Sequence, residues 1–267
     1  MNRIEKRFKE LTKSKECALI PFVTAGDPTP DVTVEVVLEM ARQGADIVEL
    51  GLPFSDPLAD GPTIQAASFR ALEQGMNPEL YFQIVEQIRR HSDIPLVLMG
   101  YYNPVLKMGL ETFADMAVKA GIDGTIIPDL PFEEAEAWRK VARANGLSNI
   151  LLVAPNTPEG RVKKIAKAST GFLYYVSVLG ITGARTELPP ELAQGLKKVK
   201  ELSAKPVAVG FGISRPEQVK ALRDAADGII VGSAIVKMLY ESYRSHGKEA
   251  AVKQVGTFVS DLKKATR

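Results

Sequence analysis

The chain has 267 residues, 45% hydrophobic and 25% charged, which suits a globular protein with one sizeable core and leaves one or two domains open on length alone. Its net charge of +2 is too flat for a polyanion such as DNA or RNA, which needs a basic stripe. One cysteine, Cys17, permits no intrachain disulfide, and only two histidines, His91 and His246, exclude a histidine-rich metal site.

In chain order, the N-terminal segment MNRIEKRFKELTKSKE is charged and lacks the apolar stretch of a signal peptide. Ile4, Phe8 and Leu11 fall at helical spacing and predict a short amphipathic helix. No apolar run approaches the length of a membrane span, so a cytoplasmic protein is expected. Short β-rich apolar runs then alternate with helical stretches. The run 17–26 precedes a helix over 29–43, and 45–53 precedes a long loop with helices over 62–74 and 78–91. The run 94–102 leads to a helix over 104–119, 124–129 to one over 132–145, and 149–155 to one over 158–168. The runs 171–177, 205–212 and 228–233 lead to helices over 189–202, 214–224 and 234–244, with a last helix over 248–264.

The runs are continuously apolar rather than alternating, as expected of parallel strands covered on both faces. Eight such strands, each followed by helix, predict a (β/α)8 barrel, an α/β TIM barrel with an additional N-terminal helix. The competing doubly wound sheet usually carries a GxGxxG turn after its first strand, whereas TAGDP stands there. With no linker or composition shift, one domain over residues 1–267 is expected. Ser214 and Glu217 have capping-box spacing with Pro216 in the first turn, and Gly121 and Gly146 stand where helices end.

In a barrel of this kind the active site lies at the C-terminal strand ends. In DIVELG, Ile47, Glu49 and Gly51 share one face; if Val48 and Leu50 meet the helices, Glu49 points inward. A carboxylate there is a buried structural charge paired with a base, or a general acid/base tuned by burial. The loop GLPFSDPLADGPTIQ (51–65) carries Asp56 and Asp60, and spacing alone cannot choose between them. The last three strand ends, LGITGAR (179–185), GFGIS (210–214) and GSA (232–234), are rich in glycine; the last two run directly into helices, so phosphate binding is expected there. Tyr101, Tyr102, Asn103 and Asp129 end strands at the same rim. Only one of the adjacent Tyr174 and Tyr175 can face inward, and Phe22 and Phe211 are either core or the walls of an aromatic site. Trp138 and Cys17 read as packing, and the histidines, at helix ends, receive no role.

The segment ELGLPFSDPLADGPTIQ (49–65) resembles the signature of the tryptophan synthase alpha subunit family. PFVTAGDP (21–28), MGYYNPV (99–105), PDLP (128–131), GITGAR (180–185), GFGIS and GSAIV (232–236) match that family in order and spacing. The resemblance implies retro-aldol cleavage of indole-3-glycerol phosphate to indole and glyceraldehyde 3-phosphate. It makes Glu49 the acid/base catalyst and Asp60 the second catalytic carboxylate. Gly183, Gly212, Gly232 and Ser233 would hold the phosphate, and Phe22, Tyr101, Asp129, Tyr174, Thr182 and Phe211 would line or support the pocket. No cofactor is implied in this chain. The implied partner is a beta subunit that carries pyridoxal phosphate and receives indole in an α2β2 complex, with contact expected near Pro53 and Asp56. The loops 53–60 and 178–192 correspond to the family's mobile loops, with Thr182 expected to close toward Asp60; Val178 stands where some relatives have Arg. A stand-alone indole-releasing lyase and a catalytically quiet binding subunit are the alternatives, and retention of both Glu49 and Asp60 argues against the latter.

Overall fold

The protein is described by a computed structural model covering residues 2–176, 191–210 and 212–267. Eight parallel strands close in sequence order into a barrel: β1 (Ala18–Thr24), β2 (Val48–Gly51), β3 (Leu96–Met99), β4 (Gly124–Ile126), β5 (Ser148–Val153), β6 (Leu173–Val176), β7 (Val207–Gly210) and β8 (Gly228–Val231), with β8 pairing back onto β1. Around it run α1 (Arg3–Ser14), α2 (Pro30–Arg42), α3 (Pro62–Glu73), α4 (Pro78–Arg89), α5 (Tyr102–Met108), α6 (Leu110–Ala120), α7 (Glu136–Ala144), α8 (Glu159–Ala168), α9 (Glu191–Leu202), α10 (Pro216–Leu222), α11 (Ser233–His246) and α12 (Lys248–Ala265). The expected barrel with its extra N-terminal helix is therefore present, although the strands are shorter than their apolar runs.

Local chemistry sets the helix starts. Thr29 and Asn77 accept from the backbone N–H of Val32 and Leu80, at 3.4 and 2.9 Å, and a proline follows each at the first helical position. Two sequence expectations need correction. The helix expected over 104–119 is two helices, because Gly109 takes φ 90° between α5 and α6 and breaks the ladder. The cap of α10 lies one residue later than the Ser214–Glu217 spacing predicts. Gln218 accepts there from the backbone N–H of Ser214 and Arg215, at 2.8 and 3.1 Å.

Alternation along the strands divides the core. Leu19, Val23, Val48, Leu50, Leu96 and Leu98 face the helices, while Ile20, Ile47, Val97, Ile126, Ile150, Phe172, Ala208 and Ile230 fill the barrel interior. Ile4, Phe8 and Leu11 of α1 join the interior group, and Phe8 packs on Phe172 with ring centroids 5.6 Å apart. The first helix thus plugs the mouth where the strands begin. Each fully buried Ile or Leu contributes about 1.5–3 kcal/mol.

A repeated carboxylate clamp fastens that same edge. Asp46, Asp123 and Asp227 precede even-numbered strands. Each exchanges a backbone hydrogen bond with the start of the preceding strand, at Leu19, Leu96 and Val207, while its side chain accepts from that residue's N–H at 2.7, 2.9 and 2.8 Å. Each is also paired with a base: Asp46 with Arg7 and Lys263, Asp123 with Arg89 and Arg3, and Asp227 with Lys200.

Candidate active site

Glu49 lies on β2, in register with Phe22 of β1 and Val97 of β3, and faces the interior. It is 1% exposed, and neither carboxyl oxygen has a hydrogen-bond partner among the described residues. Burial alone pushes its pKa up to about 8, so at neutral pH it holds its proton. Of the two readings open in the sequence, a structural ion pair is not found at Glu49 among the described residues.

The loop between β2 and α3 supplies the second carboxylate. The Tyr101 hydroxyl donates to Asp60 Oδ2 at 3.0 Å and accepts from the Ala59 N–H at 3.0 Å, and the Tyr101 ring stacks on Phe54 with centroids 5.2 Å apart. Asp60 is thereby aimed at the cavity that Glu49 lines. Burial raises its pKa to about 6, and the Tyr101 hydrogen bond pulls it partly back down. Asp56 is exposed and accepts from its neighbour Ser55. Of the two aspartates, Asp60 lines the cavity with Glu49 and Asp56 does not.

The cavity, of about 180 Å³, has an apolar side made by Phe22, Ile64, Met99 and Leu152. Tyr174 faces into it, whereas Tyr175 packs among the helices. Burial raises the Tyr174 hydroxyl well above its ordinary pKa, with the charges of Glu49 and Asp60 adding to the shift. Gly210 makes room for this ring, since a Cβ there would collide with the Tyr174 hydroxyl. Gly212, Gly232, Ser233 and Ala234 line another part of the wall, where α11 begins without a side-chain cap. The first N–H groups of a helix lack intrahelical acceptors, so this end of a 14-residue helix presents donors and a positive dipole to the cavity. No lysine or arginine lines the cavity among the described residues.

Of the residues expected from sequence, Phe22, Glu49, Asp60, Tyr174, Gly212, Gly232 and Ser233 line this one cavity. Tyr101 stands just behind it and holds Asp60. Asp129 does not line it. It is exposed on the rim, where it accepts from the Tyr102 N–H at 2.9 and 3.2 Å and borders a neighbouring cleft with Leu130 and Arg161. Thr182, Gly183 and Phe211, with the loop residues 178–190 and Val178, lie outside the described residues. Sequence reasoning missed Ile64, Met99 and Leu152. Strand alternation could have pointed to Met99 and Leu152, but Ile64 comes from α3 and gave no signal beyond lying in the 49–65 block.

Comparison with known proteins bears on the same constellation. The family model described as "Tryptophan synthase alpha chain" matches residues 8–267. A tryptophan synthase alpha chain of Geotalea uraniireducens is 47% identical over 98% of this chain and 97% of its own. One of Thermoanaerobacter pseudethanolicus is 48% identical over 98% and 99%. Among solved structures, the tryptophan synthase subunit alpha of Legionella pneumophila str. Paris superposes with a TM-score of 0.93 at 39% identity, covering 100% of this chain and 98% of that one. A chain from a study of mutual activation of the tryptophan synthase α2β2 complex of Pyrococcus furiosus superposes with a TM-score of 0.86 at 42% identity, covering 92% and 98%.

Proposed function

The chain belongs to the tryptophan synthase alpha chain family, and on that premise we propose that it cleaves indole-3-glycerol phosphate to indole and glyceraldehyde 3-phosphate. The observation that carries this reading is an unpaired, protonated carboxyl group, Glu49, in the same cavity as Asp60 and the N-terminus of α11. The Glu49 carboxyl donates its proton to indole C3, which leaves positive charge on the indole nitrogen. Asp60, ionised above about pH 6 and steadied by Tyr101, stabilises that charge. The Glu49 carboxylate then takes the proton of the glycerol 3′-hydroxyl as the bond between C3 and C3′ breaks. Those electrons restore the indole ring, the hydroxyl carbon becomes the aldehyde, and Glu49 ends with the proton it began with. Backbone N–H groups at Ser233 and Ala234 hold the phosphate, and Phe22, Ile64 and Leu152 flank the indole.

The two carboxyl groups give the test. Glu49→Gln lowers single-turnover cleavage of indole-3-glycerol phosphate about 100-fold or more and leaves binding of an unreactive analogue largely intact. Asp60→Asn lowers the rate by about 100-fold. Near wild-type cleavage in either variant would remove that residue from the mechanism.

The proposed assembly is with a beta subunit that carries pyridoxal phosphate and takes up the indole; this chain would act as one barrel domain in the cytoplasm, with no cofactor of its own. Loop 53–60 supports the partner, because Tyr101 fixes one end while Leu58 points outward, 92% exposed, beside the exposed Asp56. That exposed apolar tip favours the complex over a stand-alone lyase.

A further inference from the structure

Behind Asp60 lies a small annex of about 10 Å³. Phe22, Asp60, Ile64 and Met99 line both the annex and the catalytic cavity, while Thr24, Ser68 and Tyr101 line the annex alone. Ser68 of α3 is the polar group there that the fold does not explain. It is 4% exposed, and its hydroxyl forms no hydrogen bond with any described residue. A hydroxyl inside a helix ordinarily returns to the carbonyl four residues back, as Thr12 donates to Phe8 at 2.8 Å and Thr33 to Thr29 at 3.1 Å. Ser68 makes no such bond to Ile64. Its oxygen is not sealed in either. Thr24 Oγ1 is buried, without a partner and closed to contact, whereas Ser68 Oγ keeps open surface, and the annex is the space that Ser68 borders. A buried hydroxyl with open surface and no protein partner is costly unless something in that space bonds to it. The Asp60 carboxylate borders the same space, and Tyr101 holds only its Oδ2. The titratable groups that face Asp60 among the described residues are Glu49 and Tyr174 across the cavity and Tyr101 behind it, and no lysine or arginine lines either space.

We propose that the annex holds one water molecule that bridges Ser68 to Asp60, and that Ser68 is a positioning residue for the cleavage proposed above, on which this inference rests. A space of this size is just large enough for one water, and it offers that water a hydroxyl and a carboxylate. The water accepts from the Ser68 hydroxyl and donates to the Asp60 carboxylate. Tyr101 then holds the carboxylate from one side and the water from another. Both hydrogen bonds favour the ionised form, against the burial that favours the neutral one. Asp60 stays charged and fixed in direction where positive charge develops on the indole nitrogen.

Two measurements on the full chain test this. A crystal structure of the wild type, at a resolution that shows ordered water, has one water within hydrogen-bond distance of both Ser68 Oγ and an Asp60 carboxyl oxygen. The pH dependence of kcat/KM for indole-3-glycerol phosphate has an acidic limb near pH 6 that belongs to Asp60. Ser68→Ala moves that limb upward by about half a unit to one unit, so the loss is about three- to tenfold at pH 5 and fades as Asp60 ionises above pH 7. A serine needed only for packing would lower the rate equally at every pH. In Asp60→Asn, which lacks the limb, adding Ser68→Ala brings no pH-dependent loss. No water joining the two groups, or an acidic limb unmoved in Ser68→Ala, overturns the proposal. A wild type that cleaves no substrate at any pH overturns the proposed function instead, and the crystal structure alone then decides the water at Ser68.

Discussion

At the scale of single residues, the proposed division of work between the two carboxyl groups rests on their different surroundings. Glu49 has no partner among the described residues and is pushed up to about 8, whereas Asp60 keeps the Tyr101 hydrogen bond and rises only to about 6. The proposed cleavage needs the first protonated and the second ionised. The free-enzyme kcat/KM therefore rises through about pH 6 and falls through about pH 8, and Asp60→Asn removes the acidic limb while leaving the basic one. A profile that stayed flat from pH 5 to pH 9, with neither limb, would contradict the assignment. The same burial has a consequence for stability. Glu49 binds its proton more tightly folded than unfolded, so its contribution is fully present below its ordinary value of 4.5 and is lost as pH rises through about 8. Glu49→Gln cannot ionise, so its stability relative to the wild type improves across that window, by up to about 5 kcal/mol. Urea unfolding of both proteins at pH 5 and pH 9 reads the difference, and an unchanged gap would mean that Glu49 is not buried as a neutral acid.

At the scale of elements, the barrel keeps the candidate site and the aspartate clamps at opposite ends of its strands. The clamps at Asp46, Asp123 and Asp227 bind backbone and base together, so each removal leaves several groups unsatisfied. Asp123→Ala strands the Leu96 N–H and uncouples Arg89 and Arg3, at a cost of about 3–5 kcal/mol in chemical unfolding. The folded fraction still cleaves substrate, because β3 and β4 meet the cavity at their other ends. A loss below about 1 kcal/mol would show that the clamp is ornamental. At the catalytic end the elements are matched by size. Gly51 lets the Phe22 ring lie across β2, since a Cβ there would stand 2.7 Å from Phe22 Cζ.

At the scale of the whole molecule, α1 seals one mouth of the barrel and leaves the other as the only open end of the interior among the described residues. In the proposed function the substrate enters at this mouth, which the 53–60 loop with its exposed apolar tip Leu58 borders. That arrangement couples a partner seated on the loop to Asp60, since Phe54, Ala59 and Asp60 share Tyr101 as their anchor. Leu58→Asp weakens association with a tryptophan synthase beta subunit about tenfold or more, measured by calorimetry. Unaltered affinity would move the interface elsewhere.

The apolar runs by themselves determined eight parallel strands with helices between them, because strands covered on both faces must be apolar throughout. Alternation within DIVELG put Glu49 inside, and the glycine-rich turn before α11 marked a helix start that lines the cavity, since both follow from local geometry. What the sequence left open was every choice that depends on a distant neighbour. Asp56 and Asp60 share one loop and one residue type, and only Tyr101, 41 residues away, separates them by binding one and not the other. Asp129 sits at a strand end like the true lining residues, but its carboxylate turns to the Tyr102 N–H on the rim. Closure of the barrel likewise brought Thr170, Asn149 and Arg139 to one cavity. Covalent neighbours set period and turn; which charge faces which donor is fixed only when strands far apart in sequence come into register.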